Sequence, residues 1–90
     1  MNEFQYSQHK LQIVATERTS HLKTINDIER KIVQDKALLN NLNNDMSEER
    51  KNELIRYIAN NETRLTILIR VMDVLNEIFD EATTMVNNYV

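Results

Sequence analysis

Apolar side chains recur every three and four residues along almost the whole chain, and the pattern is broken once. Leu11, Val14, Ile25, Ile28, Ile32, Leu39 and Leu42 fall on the a and d positions of one heptad register, with Phe4 one heptad before Leu11. A second series, Leu54, Ile58, Leu65, Leu68, Met72, Leu75, Phe79, Ala82, Val86 and Tyr89, keeps the same spacing, interrupted only by Asn61. Such a repeat belongs to helices that pack side by side along a narrow seam. The stretches Thr16–Ser20 and Asn60–Thr63 could break the helices, but the register resumes in phase after each, which predicts two long helices and not four short ones.

The segment between the two series predicts the reversal. Asn40, Asn41, Asn43 and Asn44 tolerate left-handed backbone and compete for backbone hydrogen bonds, so they are expected to end the first helix where glycine is more usual. Ser47 is placed to cap the second helix, and Glu48 and Glu49 then sit in its first turn, where exposed N–H groups favour carboxylates. The expectation is an all-α, coiled-coil-like antiparallel hairpin, one domain over residues 1–90, with helices over about 3–43 and 48–88 and a turn over about 44–47. Each helix should be roughly 60 Å long at 1.5 Å per residue. A reversal near Met46 sets Leu39 near Leu54, Ile28 near Leu65, Ile25 near Leu68, Leu11 near Phe79 or Ala82, and Phe4 near Val86. Arg18, His21 and Asp35 stand at seam positions where apolar residues are expected, and matching charges across the seam are one way to accommodate them.

A second apolar stripe changes the picture. Ile67, Val71, Val74, Ile78 and Met85 occupy c and g positions of the second helix, beside the seam and not in it. One facing helix that tilts could cover a wide stripe, but the pattern favours an interface. Two hairpins joined through these stripes would form a four-helix bundle, and a helix of another protein could take the place of the second hairpin. The expected interface residues are Ile67, Val71, Val74, Ile78, Met85 and Tyr89. A small domain needs such help: at about 25 cal/mol per Å² of apolar burial against about 1.5 kcal/mol of ordering entropy per residue, an isolated hairpin comes out near zero stability.

Composition narrows the chemistry. The 90 residues contain no glycine, proline or cysteine, and the only histidines, His9 and His21, lie twelve residues apart, so neither disulfides nor a zinc site is expected to staple the fold. Asp73, Glu77 and Glu81 follow helical spacing, but bundle metal sites use inward carboxylates with a Glu-x-x-His pair, and these three should face solvent. No metal or other cofactor is expected. Catalysis needs a nucleophile, a base and a cleft, and the scattered Ser and Thr of two rods supply none of these together. The chain therefore reads as a non-enzymatic protein-interaction module, an adaptor, chaperone or assembly subunit; a small phage or bacterial inhibitor that masks a host protein is the alternative within binding functions.

A formal charge of −3 argues against binding nucleic acid or anionic membranes through net charge. Lys10, Arg18, Lys23, Arg30, Lys31 and Lys36 spread around the first helix among acidic residues, so a dimeric nucleic-acid-binding regulator is the less favoured class. Asp73, Glu77, Asp80 and Glu81 form an acidic run with no Lys or Arg after Arg70, which opposes the helix dipole; antiparallel pairing brings Lys10, Arg18 and Lys23 within reach of it. Neither a signal peptide nor a membrane-spanning apolar run is apparent, and a cytoplasmic location is expected. Hairpins of this size occur among bacterial type VII secretion substrates and their targeting factors, but the Trp-x-Gly turn of that group cannot form in a chain with neither residue, and no family is assigned.

Overall fold

The computed structural model describes residues 2–42 and 44–89. Two helices, α1 (Glu3–Leu42) and α2 (Glu48–Asn87), each of 40 residues, pack as a hairpin measuring 63 × 16 × 15 Å. Neither helix breaks at the candidate stretches. There the threonines return their hydroxyls to the carbonyl one turn back, Thr16 to Gln12 at 3.0 Å, Thr19 to Ala15 at 3.1 Å and Thr63 to Ala59 at 3.1 Å, so the polar side chain is satisfied without leaving helical geometry.

Both helix starts are capped by side chains. Ser47 has extended backbone (φ −65°, ψ 155°), and its hydroxyl accepts from the Arg50 N–H at 3.1 Å. At the other start, Asn2 accepts from the Gln5 N–H at 2.8 Å and Gln5 accepts from the Asn2 N–H at 3.2 Å, a reciprocal arrangement that satisfies two donors at once. Asn40 and Asn41 lie in the last turn of α1, within the expected span of the first helix, and among the described residues none has the left-handed backbone that asparagine tolerates. The i→i−4 ladder carries these asparagines as ordinary helical residues, and the chain leaves the helix only after Leu42, with the Asp45 N–H donating to the Leu42 carbonyl at 3.0 Å. Asn43, also assigned to the turn mechanism and to the last position of the first helix, lies outside the described residues.

The core is a strip, densest in the half nearest the turn. Ile28, Ile32 and Ile58 form its buried cluster, with Leu39, Leu65 and Leu68 packed against it, and Leu54 is buried closer to the turn. At the open end Val14, Ser7 and Ala82 are buried. The register continues to the termini, where the Phe4 ring lies 5.5 Å from Tyr89 at 54°. Phe4 was expected beside Val86; its aromatic partner is one seam position further on, which keeps it in step with the pairs nearer the turn.

The polar seam residues are answered mostly within α1. Asp35, only 3% exposed, accepts from Lys31 at 3.0 Å, and His21 lies 3.8 Å from Glu17; both are neighbours four residues away on the same helix. Arg18 crosses the seam, but to a ring: its guanidinium carbon sits 4.1 Å from the centroid of Phe79, a cation–π contact. Among the described residues no ion pair joins Lys10, Arg18 or Lys23 to the acidic run of α2. The inter-helix ion pair is instead Lys36 with Glu62, at 2.8 Å.

Candidate protein interface

Helix α2 is most apolar where it is least covered. From Leu65 to Phe79 it carries Leu, Ile, Val, Met or Phe at most positions, yet no residue of α2 between Ile58 and Ala82 is fully buried. Two features of the pairing account for this. Midway along the stretch the seam of α1 presents Arg18 and His21 where two apolar residues would complete the layers, between Val14 on one side and Ile25 and Ile28 on the other, and the c and g positions of α2 lie off the seam altogether.

Of the expected interface residues, Ile67 (56% exposed), Val74 (53%) and Val71 are open to solvent, and Ile78 is half-buried beside them. These four share one flank of α2. β-Branched side chains lose rotamer freedom in a helix and cost a few tenths of a kcal/mol relative to Ala, Glu or Lys. Their use at solvent-facing positions works against helix stability, a penalty that burial would reverse. Met85 is exposed as well, although its sulfur accepts from the buried Ser7 hydroxyl at 4.0 Å. Tyr89 is turned toward the hairpin itself: its ring meets Phe4, and its hydroxyl donates to the Glu3 carboxylate. That hydrogen bond, then burial and the nearby negative charge, raise the phenol above its ordinary value of 10.0. Tyr89 thus ties the two ends of the chain together, a role its helical spacing did not disclose.

The structure adds Ile69 on the opposite flank of α2 and Ile55 nearer the turn, both exposed and both missed by a reading confined to the c and g positions. On α1, Ile13 is exposed on one face, and Leu22 and Val33, eleven residues apart, on another. Asp73, Glu77 and Glu81 point to solvent, and among the described residues no cluster of three or more His, Asp or Glu could hold a metal ion. An open groove between the start of α1 and the end of α2 is floored by Leu11, Ala15, Phe79 and Val86 and rimmed by glutamines, with His9 its one titratable side chain.

The hairpin exposes 6689 Å². A compact monomer of 10.7 kDa exposes about 5,500 Å², so roughly 1,200 Å² is surface that a globular chain of this mass would have covered. No helix among the described residues is long and apolar enough to cross a membrane. No protein-family model, curated protein or solved structure matches the chain.

Proposed function

We propose that this chain is a non-enzymatic helical interaction module, an adaptor, chaperone or assembly subunit whose α2 flank of Ile67, Val71, Val74 and Ile78 is buried against other helices to complete a four-helix bundle. The observation that carries the reading is the run of exposed β-branched residues on a helix whose only neighbour presents Arg18 and His21 at the same level. Full burial of such a side chain contributes about 1.5–3 kcal/mol; these four are already about half covered, so completing their burial adds roughly half of that each, enough to matter for a hairpin that is marginal alone. A cytoplasmic setting is part of the reading, and a chain without cysteine suits it.

The test replaces Val71 and Ile78 together with Asp and compares light-scattering mass and helicity with the parent. The parent is expected either to exceed the mass of one chain or to be a poorly helical monomer that lacks its partner. In the first case the double variant falls to one chain's mass; in the second a partner helix is what restores order. A fully helical, cooperatively unfolding parent monomer whose unfolding midpoint is unmoved by V71D/I78D would overturn the reading.

A further inference from the structure

We infer that the α2 flank is covered by α2 of a second copy of this chain, running antiparallel about a twofold axis that passes between Met72 and Asp73. This rests on the reading of the flank as an interface and specifies its occupant. Outward from that point the flank reads Val71 and Val74, then Ile67 and Ile78, then Arg64 and Glu81, in alternating steps of three and four residues that are the same in both directions. A twofold interface sets one patch against itself. Reversing α2 onto its copy therefore lays Val71 on the partner's Val74, Ile67 on the partner's Ile78, and Arg64 on the partner's Glu81, twice.

The charged pair is what selects a second copy over an unrelated helix. Arg64 and Glu81 are both exposed, and among the described residues neither has an ion-pair partner. Neither could find one on its own helix: the residues three and four away from Arg64 are Asn60, Asn61, Ile67 and Leu68, and none of those around Glu81 is basic. Direction follows from the same charges. The end of α2 carries Asp73, Glu77, Asp80 and Glu81 with no Lys or Arg after Arg70, so a parallel pair would set acidic end on acidic end, while the antiparallel pair sets it against the half that holds Arg56, Arg64 and Arg70.

Geometry and area agree. On a helical wheel the c and g positions lie about 110° from the seam direction, so α2 can face α1 and its own copy at once, as a helix in a four-helix bundle does. The positions of α1 on that side include Lys10, Glu17 and Lys31, a charged rim, so α2 carries the contact. The rod exposes roughly 1,200 Å² more than a compact chain of its mass, so covering one flank brings it toward the surface of a globular protein.

The experiment uses charge reversal in the full chain, with circular dichroism confirming that the exposed substitutions leave helicity intact. R64E and E81R are each expected to weaken the dimer by at least about tenfold in Kd, because each sets like charges together at both pairs. An equimolar mixture of R64E and E81R makes heterodimers in which both facing pairs are again opposite, so association returns to the parental range. A spin label at Thr84→Cys, in a chain with no other cysteine, should report about 35–40 Å between copies, against about 20 Å or less for parallel helices. A dimer indifferent to both reversals, a mixture no tighter than its components, or the short distance overturns this pairing while leaving the interface reading standing. A parent chain that stays monomeric at millimolar concentration overturns the second copy as occupant, and the V71D/I78D comparison then judges the interface reading separately.

Discussion

Replacing Asp35 with Leu should stabilise the hairpin, although Asp35 is one of its most buried residues. One carboxylate oxygen accepts from Lys31 at 3.0 Å, and the other is buried with no hydrogen-bond partner among the described residues. Lys31 is itself 59% exposed, so water screens its charge, and an i,i+4 pair of this kind contributes only about 0.3–0.5 kcal/mol. Against that small loss, a buried Leu one turn from Ile32 and Leu39 gains about 1.5–3 kcal/mol, and the desolvation of an incompletely paired carboxylate is relieved. The net gain should be about 1–4 kcal/mol, the range seen when buried ions give way to apolar residues of similar size. K31A should act in the opposite sense by about 1 kcal/mol, since it strips Asp35 of its partner. Urea unfolding followed by circular dichroism reads both, at one fixed protein concentration because association shifts the midpoint. A D35L midpoint at or below the parent's would refute the reasoning and mean that Asp35 meets a partner in the assembled protein.

Removing the cap in S47A takes away the acceptor of the Arg50 N–H and should cost about 1 kcal/mol, while S47D keeps an acceptor and stays near the parent; equal losses in both would show that the cap contributes nothing. At the other end, the Tyr89 hydroxyl is held protonated by the Glu3 carboxylate. Because the folded-state pKa is raised, that contact contributes fully below pH 10.0 and is lost as pH climbs through the raised value. Phenolate absorbance of a Y6F/Y57F background should show Tyr89 titrating above 10.0 and moving down toward it in E3A; a titration unchanged by E3A would dismiss the contact.

The hairpin itself was legible because its signals are redundant: two long apolar series in a single register, a break, and Ser47 followed by acidic residues. What the sequence hid was where each polar side chain goes. Whether Asp35 and His21 meet partners across the seam was open in the sequence; Asp35 meets Lys31 and His21 lies near Glu17, each four residues away on its own helix. Arg18 was matched to the acidic run by charge, but at its level the seam offers Phe79, and a guanidinium already half desolvated gains more from a ring face than from a carboxylate it would draw out of water. The asparagines mark where the first helix ends, with Asn40 and Asn41 in its last turn, but among the described residues none takes the left-handed backbone they tolerate. On α2, Ile67, Val71 and Val74 stand exposed as their period indicates, whereas Met85 and Tyr89, also exposed, make contacts their period does not reveal, with Ser7 and with Phe4 and Glu3.

These placements give the two helices unequal work. Helix α1 buries Val14, Ile25, Ile28 and Ile32 and turns mostly polar residues outward, so it has less apolar surface left to cover than α2. Helix α2 from Leu65 to Phe79 is apolar on its seam and on both flanks, with Thr66, Arg70, Asp73 and Glu77 forming its polar stripe, and meets that neighbour where the neighbour is most polar. A sequence selected to be a hairpin alone would put the apolar residues of the two helices at the same level, because each layer is stable only if both sides are apolar. Here the layers match near the turn, around Ile28, Ile32 and Ile58, fail at the level of Arg18 and His21, and resume toward the open end, where Val14 and Ala82 are buried. The half near the turn can therefore fold from its own contacts, while the middle of α2 depends on what covers it. Under the pairing proposed above, folding of that region and association would be a single equilibrium, and an agent that separates the copies should loosen the centre of the rod before it opens the turn.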